Sequence, residues 1–269
     1  MRRLADEFGI RPAKALGQNF MIDPNSIRRV VRLAGIDPGD RVIEVGAGLG
    51  TLTLALAAAA SHVVAVELDR KLVPALQQVV AGIPNVEVLQ GDALDLDWKA
   101  LLGGRPHRLV SNLPYNIATP LVATVLTEAP EIFDMTAVVQ REAGERFAAA
   151  AGSKTYGGVS VLVAYYCNIK VMGKVPPTVF WPQPTVDSVV VRMTRRPPVV
   201  EVDPPALMRV VRAAFSQRRK TIRNSLPGVL GLDVAEVEDL LKRSVIDPSR
   251  RAESLTLQDF ARIANELHP

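Results

Sequence analysis

The chain has 269 residues, 48% of them hydrophobic and 22% charged, with a formal net charge of +4. That is ample for one large α/β domain, alone or with a small helical addition, and for a core that needs no disulfides. Cys167, the single cysteine, cannot make an intramolecular bridge and sits in an apolar run, which suits a small buried hydrophobe in a reducing cytosol; the longest alanine- and leucine-rich stretch, Leu52 to Ala60, is too short to cross a bilayer.

The first residues carry charge but run into glycine and more charge instead of an apolar segment, so no signal peptide is predicted. Arg41 to Val45 is a strand candidate, followed by a glycine-rich turn and the apolar helix Leu52 to Ala60. Val63 to Glu67 is a second strand and Arg70 to Val80 a second helix, in which Pro74 is tolerable only in the first turn. Val86 to Leu89 and Arg108 to Ser111 add two short strands, Ala118 to Glu128 a helix, and Met135 to Gln140 a fifth strand, before a helix over Arg141 to Ala151. Such alternation predicts a parallel sheet covered on both faces, with a ligand crevice at the carboxyl ends of its strands.

Gly157-Gly158 breaks the chain before the apolar stretch Val159 to Cys167. Asn168 to Gly173 and Ser188 to Thr194 then suit a hairpin-like pair around the proline-rich loop Pro176 to Pro184. After Arg195-Arg196-Pro197-Pro198 the composition turns helical, with helices over Pro205 to Phe215, Val234 to Arg243 and Leu257 to Leu267, the last capped by Thr256. This places a boundary near residue 197, between domains over 1–197 and 198–269.

Three strand ends carry the chemistry. In Glu44-Val45-Gly46-Ala47-Gly48-Leu49-Gly50 the glycines permit positive φ and close approach of a ligand, although a purely structural tight turn has the same composition. The third glycine falls one place early for a dinucleotide fingerprint, while Glu67, ending the next strand, can accept bonds from ribose hydroxyls. S-adenosylmethionine needs that clamp and has no phosphates, so it fits better than a dinucleotide. Asp92, after the third strand, can bond the cofactor's adenine amino group or serve as a turn residue, and Asp69 suits a solvated or helix-capping carboxylate.

Ser111-Asn112-Leu113-Pro114-Tyr115-Asn116-Ile117 ends the fourth strand. Asn112 offers an amide oxygen, Leu113 a carbonyl, Pro114 stiffness and Tyr115 a flat face, the parts needed to hold an amino-bearing planar base; a rigid turn with a packed tyrosine is the structural alternative. Phe180 can cover the base's other face or, like Trp181, pack in the core. His62, His107 and His268 lack ligand-like spacing and read as surface or satisfied structural histidines, so no metal is expected. Neither a serine-hydrolase elbow nor a Walker A loop is present. From Arg209 to Arg223 the chain carries Arg209, Arg212, Arg218, Arg219, Lys220 and Arg223 with no acid between them, a block that attracts a polyanion or simply solvates a helix face.

Together these segments resemble the ribosomal RNA small-subunit adenine dimethyltransferases, the family associated with kasugamycin sensitivity. The matching pieces are Leu16 to Phe20, Glu44 to Gly50, Glu67 to Asp69, Gly91 to Ala93, Asn112 to Ile117, Tyr156 to Val161, Phe180 to Val189 and Phe215 to Thr221, spread over nearly the whole chain. The resemblance implies a seven-stranded Rossmann-like methyltransferase sheet with one reversed edge strand and a small carboxyl-terminal all-helical domain. It implies N6,N6-dimethylation of two adjacent adenosines in a hairpin loop near the 3′ end of 16S rRNA, on immature small subunits in the cytoplasm, by a monomer using S-adenosylmethionine. Asn19, Met21, Gly46, Glu67, Asp92 and Asn112 then line the cofactor or its junction with the target, and Asn112, Leu113, Tyr115 and Phe180 hold the base. Arg11, Lys14, Arg218, Arg219, Lys220 and Arg223 approach RNA phosphates. Met21 stands where the family often has leucine. The alternatives are a 23S rRNA adenine methyltransferase of the macrolide-resistance type and a noncatalytic assembly factor on the same scaffold. A mitochondrial transcription factor of related build is disfavoured by the lack of a transit-like leader.

Overall fold

The computed structural model describes residues 2–13, 16–217 and 219–267, which leaves Lys14, Arg218 and His268 outside the described residues. Two compact units divide the chain: Met1–Gly144 with Ile169–Arg195, and Glu145–Asn168 with Arg196–Pro269.

The first unit opens with α1 (Arg2–Glu7), β1 (Phe20–Met21) and α2 (Pro24–Ala34). Local chemistry bounds α2 at both ends. The Asp23 carboxylate accepts the Ser26 N–H, Pro24 occupies the first turn, and Gly35 closes the helix in a left-handed conformation. Strands and helices then alternate: β2 (Arg41–Val45), α3 (Thr51–Ala57), β3 (His62–Glu67), α4 (Val73–Val79), β4 (Val86–Gln90), α5 (Trp98–Leu102), β5 (His107–Asn112), α6 (Ala118–Glu128) and β6 (Ile132–Gln140). Pro74 does fall in the first turn of α4. α7 (Arg141–Phe147) and α8 (Gly158–Tyr166) precede β7 (Cys167–Val175), β8 (Phe180–Trp181) and β9 (Ser188–Arg195).

The sheet order is β4-β3-β2-β5-β6-β9-β7. The pairs β2–β3, β3–β4, β2–β5 and β5–β6 are parallel, while β9 runs antiparallel to β6, from Asp134 opposite Thr194 to Gln140 opposite Ser188. The reversed strand is therefore not at the edge, as the resemblance led us to expect. β7 is laid down first and takes the outer position, and β9 fills the gap between β6 and β7. Nearly every side chain of β2, β3, β5 and β6 is buried, as a sheet covered on both faces requires. A separate antiparallel ribbon pairs Phe20 with Trp181 and Met21 with Phe180.

The second unit contains α8, α9 (Pro204–Phe215), α10 (Ile222–Leu230), α11 (Val234–Arg243) and α12 (Leu257–Leu267). Its core joins Val161 and Tyr165 of α8 to Leu207, Val210 and Val211 of α9, Leu226 of α10, Leu240 of α11 and Phe260 of α12. Tyr156 meets Phe215 edge-on at 5.9 Å and donates its hydroxyl proton to the Leu255 carbonyl at 3.0 Å. No helix among the described residues is long and apolar enough to cross a membrane.

Candidate active site

A crevice of about 660 Å³, open solvent at its mouth included, lies in the first unit. It is lined by the ends of β2, β3 and β5 together with the segment before β1. Asn19, Gly46, Glu67, Asp92 and Asn112, all expected at a cofactor, meet there. Leu68, Ala93, Pro114 and Ile117 supply the apolar lining. Of these, only Pro114 has a role in the sequence reading, as the stiff member of the base-holding segment; Leu68, Ala93 and Ile117 have none there.

The turn after β2 is built for close approach. Gly46 (φ +73°) and Ala47 both donate their N–H to the Val66 carbonyl, and a Cβ on Gly46 would stand 2.9 Å from the Pro114 ring. Gly48 (φ +59°) faces Phe20, whose ring would lie 2.8 Å from an added Cβ. Both positions therefore need glycine, for conformation and for space.

Glu67 is buried, and each of its oxygens takes one backbone donor, Gly48 N–H at 2.7 Å on Oε2 and Asp69 N–H at 2.9 Å on Oε1. Burial pushes its carboxyl above the usual range, and the two N–H bonds oppose that rise. Each oxygen keeps a lone pair for a ligand hydroxyl. Behind it Glu44, fully buried, is pushed up to about 8 by desolvation, with the neighbouring Glu67 adding to the rise, and it accepts the Thr53 hydroxyl at 2.5 Å. Asp69 caps Lys71 N–H at 3.0 Å, and its other oxygen accepts Gln18 Nε2 at 2.9 Å, tying the segment before β1 to the rim of the crevice. Asp92 uses one oxygen to accept Leu94 N–H at 2.9 Å, an ordinary turn bond, while it lines the crevice.

Asn112 ends β5. Its Nδ2 donates to the Asn19 carbonyl at 2.8 Å, which sets the amide's orientation and leaves Oδ1 buried without a hydrogen-bond partner. An acceptor buried in that way costs roughly 1–3 kcal/mol until a donor arrives. The Leu113 N–H next to it donates to Val138 O at 3.0 Å. Tyr115 is fixed through its hydroxyl, 2.8 Å from the Ser188 Oγ, and burial raises its pKa above the usual 10, so the phenol stays neutral.

Leu113 and Tyr115 are not among the residues that line the crevice, and the remaining expected residues lie elsewhere. Met21 is buried, pairs with Phe180, and accepts the Thr51 hydroxyl on its carbonyl at 2.9 Å. Phe180 is 3% exposed and packs in the core with Met21 and Val179. Trp181 packs on Phe20, ring centroids 5.9 Å apart. Arg11, Arg219 and Lys220 are exposed, and Arg223 is paired with Glu238. His107 and His62 both take hydrogen bonds from Arg41, at 3.1 and 3.2 Å, and no group of three or more histidine, cysteine or acidic side chains that could hold a metal occurs among the described residues.

The described groups suit S-adenosylmethionine: a carboxylate with free lone pairs for a ribose, an apolar lining for an adenine, and glycines that admit the ligand to the backbone. Against known proteins, the model of the family "Ribosomal RNA adenine dimethylase" matches residues 11–268. The chain is 45% identical to the ribosomal RNA small subunit methyltransferase A of Moorella thermoacetica, over 98% of this chain and 95% of that one. It is 48% identical to the protein of the same name from Kineococcus radiotolerans, over 98% and 89%. Among solved structures, a dimethyladenosine transferase of Plasmodium falciparum aligns with a TM-score of 0.74 at 23% identity, over 91% of this chain and 95% of that one, a likeness of fold. The 23S rRNA methyltransferase ErmE aligns at 0.66 and 28% identity, over 93% and 100%. With a family model covering almost its full length and relatives this similar end to end, the chain belongs to the ribosomal RNA adenine dimethylase family.

Proposed function

We propose that the protein dimethylates N6 of two adjacent adenosines in the 3′-terminal hairpin loop of 16S rRNA, on immature small ribosomal subunits in the cytoplasm, acting as a monomer. The observation that carries this reading is the buried, unpartnered acceptor Asn112 Oδ1 at the end of β5; the Leu113 carbonyl that follows it in the chain is the second acceptor of this reading. S-adenosylmethionine, when bound, supplies a methyl group already activated by a sulfonium. The protein's task is then to present the amine. An adenine amine is a weak nucleophile because its lone pair is delocalised into the ring. Two acceptors on its hydrogens favour a more tetrahedral nitrogen and stabilise the positive charge that develops there. After the first transfer one N–H remains, and one acceptor is enough to hold it. No strong base is needed, since the proton leaves once the nitrogen is charged.

Tyr115 stacks on the base, held at its far end by Ser188, a contact type worth roughly 1–3 kcal/mol per base. Phe180, being buried, serves this reading best by supporting the ribbon of β1 and β8 instead of closing on the base directly. Glu67 takes the ribose, Asp92 the cofactor's adenine amine, and Asn19, Met21 and Gly46 shape the site around them. The first domain carries the transfer, and the helical domain, with Arg218, Arg219, Lys220 and Arg223, holds RNA phosphates, joined by Arg11 and Lys14. A target already in a loop enters the pocket with little pairing to break.

The test supplies labelled S-adenosylmethionine and undermethylated small subunits, with mass analysis of the digested RNA. N6,N6-dimethyladenosine in 16S rRNA is the expected product. Exhaustive reactions that stop at the monomethyl base would sink the dimethyl assignment, and label confined to 23S rRNA would favour the macrolide-resistance chemistry.

A further inference from the structure

A second basic surface lies in the first unit. Between residues 24 and 36 the chain has Arg28, Arg29 and Arg32 and no acid, and between 168 and 186 it has Lys170 and Lys174 and no acid. The fold brings these two stretches together. Arg29 of α2 donates to the Lys174 carbonyl of β7 at 2.8 Å, and it passes so close over Gly173 (φ +140°) that a Cβ there would be 2.2 Å from the guanidinium. Arg29 is thus a clasp between helix and edge strand, and it leaves Arg28, Arg32, Lys170 and Lys174 exposed around it. None of the four forms a salt bridge among the described residues; Arg28 donates to the Asn25 amide oxygen at 2.7 Å and its charge also helps lower the Asp23 carboxyl at the start of α2.

Lysines on an edge strand also discourage edge-to-edge pairing, which accounts for Lys170 and Lys174. It does not account for Arg28 and Arg32, one turn apart on the outer face of α2. Position argues for a ligand as well. Both elements feed into the ribbon beside the crevice: α2 starts just after β1, whose Phe20 lines the crevice, and β7 leads into β8, with Ile22 N–H donating to Val179 O at 2.8 Å.

We propose that the α2–β7 face binds the phosphate backbone of ribosomal RNA outside the target bases, through Arg28, Arg32, Lys170 and Lys174. The proposal rests on the ribosomal RNA reading above. It adds affinity without base identity, because isolated guanidinium and ammonium groups on a helix and an edge strand reach phosphates.

The test is a fourfold variant, R28Q/R32Q/K170Q/K174Q, beside a control, K99Q/R105Q, which removes two exposed charges from a different part of the same unit. Binding to a protein-free 16S fragment bearing the hairpin, and to undermethylated subunits, is measured without cofactor across a salt series. The expected result is a log Kd against log salt slope lower by roughly 1.5–3 for the fourfold variant and affinity reduced by about tenfold near physiological salt, with S-adenosylmethionine affinity unchanged and the control like the parent. An unchanged slope overturns the proposal, and so does an equal loss at all salt concentrations. A loss seen with subunits but with neither the fragment nor full-length protein-free 16S rRNA would make the partner an acidic protein and also overturn it. Because binding is read without catalysis, a parent that binds both RNAs but transfers no methyl group would sink the enzymatic reading, while the difference in slope between parent and fourfold variant still decides this surface.

Discussion

Glu67 shows how much one carboxylate depends on its backbone donors. Replacing it with Gln leaves one oxygen for two N–H groups, so either Gly48 or Asp69 would face an amide NH2 instead of an acceptor. Glu67→Gln is therefore expected to weaken S-adenosylmethionine at least about tenfold by titration calorimetry, with the far-ultraviolet spectrum unchanged. Retained affinity would remove Glu67 from the ribose clamp. Gly48→Ala puts a Cβ 2.8 Å from Phe20 in a left-handed backbone, and it should lower the unfolding free energy by roughly 1–3 kcal/mol in urea titrations. The glycines and Glu67 are readable as residues. That Glu67 is held by Gly48, and that Asn112 turns its amide by bonding Asn19, is not, because those partners are separated by whole elements and meet only when β2, β3 and β5 align.

Elements announced by their own periodicity are where the pattern puts them, as with α6, α11 and α12. Those whose signal is interrupted are not. The sequence analysis assigns no helix over α10, which contains Pro227; it forms because Ile222, Leu226 and Leu230 fall on one face and bury in the helical core. α2 also went unassigned, although Asp23, Pro24 and Gly35 mark both its ends. The end of α11 carries a misfit: Val245 has φ +58° and is 79% exposed. A β-branched residue in the left-handed region costs about 1–2 kcal/mol, partly offset in a glycine by the greater entropy of its unfolded chain. Val245→Gly should raise the urea midpoint by the equivalent of about 0.5–1 kcal/mol. A lower midpoint would show that the valine packs to some benefit.

At the scale of the molecule, buried titratable groups set opposing pH responses. The Glu44 carboxyl, pushed up to about 8 from 4.5, binds a proton more tightly folded than unfolded, so its contribution is present below 4.5 and is lost as pH rises toward 8. His62 and His107 go the other way. Burial, with the Arg41 charge beside them, lowers both below 6.5, and their contribution is lost as pH falls below that value. Glu44→Gln should therefore shrink the decline in stability between pH 5 and 8, to which the raised Glu67 carboxyl contributes in the same direction, and leave the acid limb in place. Parallel pH profiles for parent and variant, by urea unfolding, would show that Glu44 does not titrate in this window.

The amino-acid sequence by itself determined the order of strands and helices in the α/β region and the residue types at the strand ends, because hydrophobic period, turn chemistry and short motifs are local properties. Tertiary structure alone decided that β9 lies inside β7, that residues 145–168 fold with the helical unit, that β1 and β8 form a ribbon, and that Arg29 clasps an edge strand. It also decided which acceptor at β5 has no partner. Each of these is a contact between segments far apart in the chain, selected by burial and hydrogen-bond satisfaction across the whole fold, and no local window of residues contains both partners.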